Sequence, residues 1–204
     1  MTPTDLHAFL RSRQSIRHFT PKAIPQDVLE RVLATATYAP SAHNRQPWRF
    51  VVLTATTDKE MLAARMGAEF HRDLLADGIA PEKAAKTVAR SSERIQRAGA
   101  VVLLCMTLED MDAYPDPKRQ TFEHLMAAQS VALAGGTLLL AAHAEGLGGV
   151  WVCAPLFAQR AVRDALNLPA HWEVHGMLLL GYPAKVGKPR SRKPLNEVVL
   201  YAHA

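Results

Sequence analysis

Cysteine is scarce: the 204 residues contain two, Cys105 and Cys153. Two thiols cannot build a four-ligand metal centre or a disulfide-dense scaffold. Both sit in apolar runs, VVLLCM and GVWVCAP, which predicts buried free thiols. The opening segment MTPTDLHAFLRSRQS has no uninterrupted apolar stretch, so no secretory leader is expected and a reducing cytoplasm is the default. Repeats, low-complexity tracts and Gly/Ser linkers are missing as well, and one domain over residues 1–204 is expected. Charge of one sign is not in large excess. Lys plus Arg number 24 against 19 Asp plus Glu, a net of +5, which suits an anionic ligand but does not make a case for nucleic acid. With 49% hydrophobic and 21% charged residues, the chain is not globally disordered.

Charge disappears altogether between Leu125 and Ala144, where LMAAQSVALAGGTLLLAAHA holds no Asp, Glu, Lys or Arg over 20 residues. That is the length of a membrane span. Against a span stand Gln129, Ser130, Thr137 and His143, the absence of aromatic belts, and entry through Lys118, Arg119 and Glu123. A helix apolar all round is equally the central helix of a globular core, and no membrane is expected.

Helical and strand patterns alternate along the rest. Helices are expected over Thr4–Arg13 with Thr4 as cap, Gln26–Tyr38, Asp58–Glu69, Pro81–Arg97, Arg119–Glu145 and Gln159–Leu166. Strands are expected over Trp48–Thr54, Ala100–Met106, Gly148–Cys153 and Val174–Leu180. The charged Pro81–Arg97 stretch reads as a lid or outer face, and a basic segment, Lys185–Lys193, precedes an apolar tail at Val198–Tyr201. Strands separated by helices indicate α/β or α+β.

Three motifs fail on spacing. Gly146-Leu147-Gly148-Gly149 lacks the third glycine of a dinucleotide loop and precedes a strand. In GYPAKVGK, Pro189 follows where Ser or Thr must hold magnesium in a phosphate loop. His171 and His175 fall at a strand start, where four residues span about 13 Å, too far for a shared metal. No metal is expected.

Three other elements carry chemistry. Arg13, Ser15 and Arg17 alternate in RQSIR, so an extended backbone turns two guanidiniums and a hydroxyl to one side, a good clamp for a phosphate. Arg190 and Arg192 in PRSR form a second basic pair that could fold onto the same dianion. The plainer reading of each alone is a solvated basic loop. Third, APSAHNRQPWRF sets Asn44 and Gln46, each both donor and acceptor, in a Pro-bracketed loop fit to rim a polar ring, with Trp48 entering the core.

RQSIRHF, APSAHNRQPWRF, EGLGGVW and PRSR, in that order and across nearly the whole chain, resemble the nitroreductase family of FMN flavoproteins. The PSxxNxQPW-type loop is the most specific of the four. The resemblance implies an α+β fold with a mixed central sheet flanked by helices, in an intertwined homodimer with FMN at the subunit interface. It implies that Arg13, Ser15, Arg17, Arg190 and Arg192 hold the FMN phosphate and ribityl end. Ser41 and Asn44 would approach the flavin, Ser41 reaching across from the other subunit. Backbone at Val152 and Cys153 would face the ring's redox edge, where many relatives carry an acidic-glycine pair and this chain has Cys153-Ala154. The implied reaction is hydride transfer from NAD(P)H through flavin N5 to a small acceptor, with no catalytic Ser, His or Cys. Phe70–Arg97 and LNLPAHWEVHGMLLLGYP resemble the reductase domain of the enzyme that matures the deazaflavin coenzyme, making its unsaturated precursor one candidate acceptor. A non-catalytic flavin- or nucleotide-binding sensor is the alternative.

Overall fold

The computed structural model describes residues 2–185, 187 and 190–201. The expected basic segment Lys185–Lys193 therefore falls partly outside the described residues. Its organising element is β2 (Ala100–Met106), seven consecutive buried residues in which successive side chains face opposite layers. Val102, Leu104 and Met106 join one core; Val101, Leu103 and Cys105 join the other. An uninterrupted apolar run is what a strand covered on both faces requires.

β1 (Trp48–Leu53), β2, β4 (Glu173–Gly181) and β3 (Gly148–Val152) lie side by side in the order β1-β2-β4-β3, every neighbouring pair antiparallel. The mixed character expected of the sheet comes from a parallel bridge, Ser15 to Gly149, with the Ile16 amide donating to the Gly149 carbonyl at 3.0 Å. The N-terminal segment thus runs along the β3 edge.

One layer consists of α2 (Gln26–Ala36) and α5 (Pro117–Ala144). Ala127, Val131, Ala134, Leu138 and Ala142 form the inner stripe of α5. By length and composition alone this helix could cross a bilayer, but its inner face is core. Its outer face leaves Phe122, Leu125 and Leu133 about half exposed. The opposite layer contains α3 (Thr56–Ala76), α4 (Pro81–Gln96) and α6 (Gln159–Leu166). A short α7 (Leu195–Val198) precedes the exposed apolar tail.

Two expectations shift. α1 spans Pro3–Ser12 and its cap is Thr2, not Thr4: Thr2 Oγ1 accepts from the Asp5 amide while Asp5 accepts from the Thr2 amide, a reciprocal capping box with Pro3 in the first turn. α3 continues to Ala76, beyond the Glu69 expected, because its second half forms a hairpin with α4. A Cβ at Gly67 would lie 3.1 Å from Val88 Cγ1, so the helices approach backbone to side chain. Gly78, at φ +77°, turns the chain between them.

Candidate functional site

Arg13 ends α1 in extended backbone, and the bridge to Gly149 keeps the next residues extended. Ile16 is buried while Ser15 and Arg17 are exposed, the alternation read from RQSIR. The two guanidiniums open onto neighbouring depressions. Arg13 lines a cavity of about 480 Å³ with Ser12, Gln14, Leu139, His143 and the Gly146–Gly149 backbone. Arg17 lines another, beside α4. No described carboxylate forms an ion pair with Arg13 or Arg17. The glycines of the first cavity keep its wall bare, and a Cβ on Gly148 would strike Ile16 at 2.8 Å.

His143 was not anticipated. Its Nε2 meets Ser12 Oγ at 2.7 Å and its ring stacks on Phe9 with centroids 4.9 Å apart. Burial, and then the charge of Arg13, hold it below the ordinary imidazole value, so at neutral pH it is an uncharged partner beside the arginine. A contact between residues 131 positions apart leaves no local signal in sequence.

Arg190 and Arg192 are exposed, and the Arg192 guanidinium donates to the carbonyls of Arg190 and Ser191, both at 3.2 Å. The chain leading to them passes the N-terminal segment. A Cβ at Gly187 would sit 3.1 Å from Gln14 Oε1, and the Ala184 amide donates to the His18 carbonyl at 3.0 Å.

The Pro40–Pro47 loop is held in an unusual backbone. His43, Asn44 and Gln46 have φ of 51°, 55° and 50°. Each left-handed non-glycine residue costs of order 1 kcal/mol, so their close spacing marks a loop whose shape matters. Ser41 Oγ accepts from the Gln46 amide at 3.1 Å, and the Ala42 amide donates to Ser130 Oγ on α5 at 3.2 Å. Ser41 is therefore a brace for the loop, while Asn44 and Gln46 remain exposed. The loop rests on Ser130, whereas the Arg13 cavity rests on Leu139 and His143. At 1.5 Å per residue these contacts are about 14–20 Å apart along α5. One chain does not bring the two groups together.

Val152 ends β3 and Cys153 follows in a helical turn. Cys153 is exposed, correcting the expectation of a buried thiol: the strand stops one residue early and the backbone leaves the sheet. Cys105 is buried, and burial pushes its thiol up to about 12, which removes it as a nucleophile. Trp151 lies in a slot between Gly135 and Gly176 and donates from Nε1 to Cys153 Sγ at 3.2 Å, so the tryptophan of EGLGGVW positions the turn.

Across the sheet end, Glu173 Oε2 lies 2.9 Å from His124 Nε2 and 3.6 Å from His175 Nε2. Among the described residues, no group of three His, Cys, Asp or Glu is set to hold a metal. Burial depresses His175 below its ordinary 6.5, opposed by Glu173 and reinforced by His124. The unfolded chain therefore takes the proton first, and this residue's contribution removes stability as pH falls below 6.5, until the folded imidazole protonates too. In urea titrations between pH 8 and 5, His175→Gln is expected to lessen the acid loss of midpoint; an unchanged pH profile would exclude this role.

The nitroreductase family profile matches residues 10–182. A Thermus thermophilus protein named NADH dehydrogenase is 31% identical, covering 93% of this chain and 92% of its own length. A Rhodospirillum rubrum 5,6-dimethylbenzimidazole synthase is 32% identical, covering 95% of this chain and 86% of its own. A Desulfovibrio desulfuricans chain solved in complex with FMN superposes with a TM-score of 0.76 at 26% identity, covering 100% of this chain and 98% of its own. Family profile, relatives and fold agree over almost the full length: the chain belongs to the nitroreductase family.

Proposed function

We propose that the chain is an FMN-dependent oxidoreductase that works as a homodimer, taking hydride from NAD(P)H and reducing a small acceptor such as a nitroaromatic, a quinone or an activated double bond. The observation that carries this reading is Arg13, without a carboxylate partner among the described residues, beside the bare glycine backbone of a 480 Å³ cavity in a chain of this family. The volume suits a cofactor, and a guanidinium fork suits a phosphate.

Arg13 and Ser15 hold the phosphate and ribityl end, with Arg17, Arg190 and Arg192 adding positive charge along the same edge. Backbone at Val152 and Cys153 faces the redox edge, and the side chain of Cys153 takes no part. FMN bound there supplies hydride chemistry at N5; the protein supplies position and charge. Arginine charge near the ring favours the electrons gathering there. Donor and acceptor use one face in turn, so steady-state double-reciprocal plots run parallel.

The separation along α5 supports a site shared between two chains. Gly136 lies about midway between Ser130 and His143 and is open to solvent, with nothing within 4 Å of a Cβ built on it. A second α5 crossing antiparallel there brings the Ser41–Asn44 loop of one chain beside the Arg13 cavity of the other. The exposed Phe122, Leu125 and Leu133 supply an apolar contact.

Leu133→Glu tests this assembly. Two-fold symmetry sets the new charge into the interface twice, at a cost of several kcal/mol per ion. The variant is expected to run as a monomer by light scattering, with FMN affinity lowered at least about tenfold. A monomeric wild type that retains its full complement of FMN would overturn the shared site.

A further inference from the structure

Among the described residues a single cation is buried: Lys59, in the first turns of α3, is 6% exposed. Its Nζ donates to the Ala98 carbonyl at 2.7 Å, which ties the start of α3 to the chain leaving α4. An ammonium carries three N–H groups, and this bond uses one of them. Lys59 forms no ion pair with any described carboxylate. A buried ammonium so placed is costly, and burial holds Lys59 below the ordinary lysine range.

The lysine lines a cavity of about 440 Å³ where three segments far apart in sequence meet: Phe19–Ala23, the stretch from Thr54 to Lys59, and Gln96–Gly99. Its walls are fixed. The Thr20 amide donates to the Tyr182 carbonyl at 2.8 Å, and a Cβ at Gly99 would lie 3.1 Å from Ile24 Cγ1. Thr20 Oγ1 is buried and has no hydrogen-bond partner among the described residues. Thr54 and Thr56 add hydroxyls and Gln96 an amide, while no described carboxylate lines the cavity. The other two cations of the lining are engaged elsewhere: Lys22 lies over the Tyr182 ring at 4.2 Å, and Arg97 pairs with Glu93 at 2.9 Å. The cavity thus joins one buried charge without a counter-charge to a buried hydroxyl without a partner.

We propose that this cavity binds a small carboxylate, its oxygens taking the remaining N–H groups of Lys59 and the Thr20 hydroxyl. One ammonium matches one negative charge, and hydroxyl donors without an uncommitted guanidinium fork favour a monocarboxylate over a phosphate dianion. Thr54, Thr56 and Gln96 suit a hydroxyl on the same ligand, so a small hydroxy acid is the class that fits. None of the residues assigned to the flavin lines the cavity, so the site stands whether or not the flavin reading holds.

NMR titration of the full-length protein with sodium lactate, at ionic strength held with sodium chloride, reads the site without any redox step. Saturable shifts are expected at the amides of Thr20, Thr56 and Gly99. Lys59→Met keeps the stem and removes the charge, and should weaken binding about tenfold or more. Because Lys59 also ties two helices, Thr20→Val serves as a second variant that leaves that tie intact; it should weaken binding about three- to tenfold. Lys86→Gln, which removes the same charge from an exposed position of α4 outside the cavity, should leave lactate affinity near wild type. Inorganic phosphate is expected to bind more weakly than lactate. An absence of saturable shifts, a lactate affinity unchanged by Thr20→Val, or phosphate binding tighter than lactate would overturn the proposal.

Discussion

Gly135→Leu is expected to leave little folded protein. Gly135 lies on the buried stripe of α5, and a Cβ built there would overlap the Trp151 ring and come within 2.6 Å of Leu104 Cδ1. Alanine alone sets a helix-propensity gain of about 1 kcal/mol against an overpacking cost of about 1–3 kcal/mol, so Gly135→Ala is neutral to mildly destabilising. Leucine adds three more carbons where the neighbours cannot retreat. Trp151 is boxed in on its other side by Gly176, whose Cβ position lies 3.1 Å from the indole, and Leu104 is fully buried in β2. Accumulation of soluble protein and the thermal midpoint measure the effect. A Gly135→Leu protein with wild-type Tm would mean that the indole slot does not exist.

Arg13→Ala is expected to raise the Kd for FMN about 10- to 100-fold, the worth of one charge-assisted contact of roughly 1.5–3 kcal/mol. Because the contact is to phosphate, riboflavin affinity should stay near wild type. The substitution also removes a charge that holds His143 down, so the histidine should titrate closer to its ordinary value. Flavin fluorescence titrations read the first effect and histidine NMR the second. Equal FMN affinity in wild type and Arg13→Ala would remove Arg13 from the site.

Much of this architecture was legible because periodicity and burial coincide. AVVLLCM became β2 with the expected bounds, and Gln159–Leu166 became α6 with both ends as read. Where local pattern and tertiary contact part company, the reading fell short. FHRDLLA was grouped with the charged stretch that follows it, yet α3 continues through it to Ala76 because its second half pairs with α4 in a hairpin. Cys153 looked buried because its neighbours are apolar, but a strand that ends at Val152 turns it out.

The site was legible in types more than in places. The RQSIR alternation gave the extended backbone, but not that Arg13 and Arg17 open onto separate depressions. APSAHNRQPW announced a polar rim, while its three positive φ angles arise from packing on α5 and the Ser41 brace, which no residue type encodes. His143 depends on a contact with Ser12, 131 positions away.

The central claim is that a flavin held at the Arg13 cavity passes electrons from NAD(P)H to an acceptor in two separable halves. Anaerobic mixing of the FMN-loaded protein with NADH or NADPH reads this directly through the visible flavin absorbance. The account predicts that the absorbance bleaches with at least one donor and returns when a quinone or nitroaromatic is added after the donor is consumed. A protein that binds FMN with wild-type stoichiometry, yet is bleached by neither donor, would contradict it.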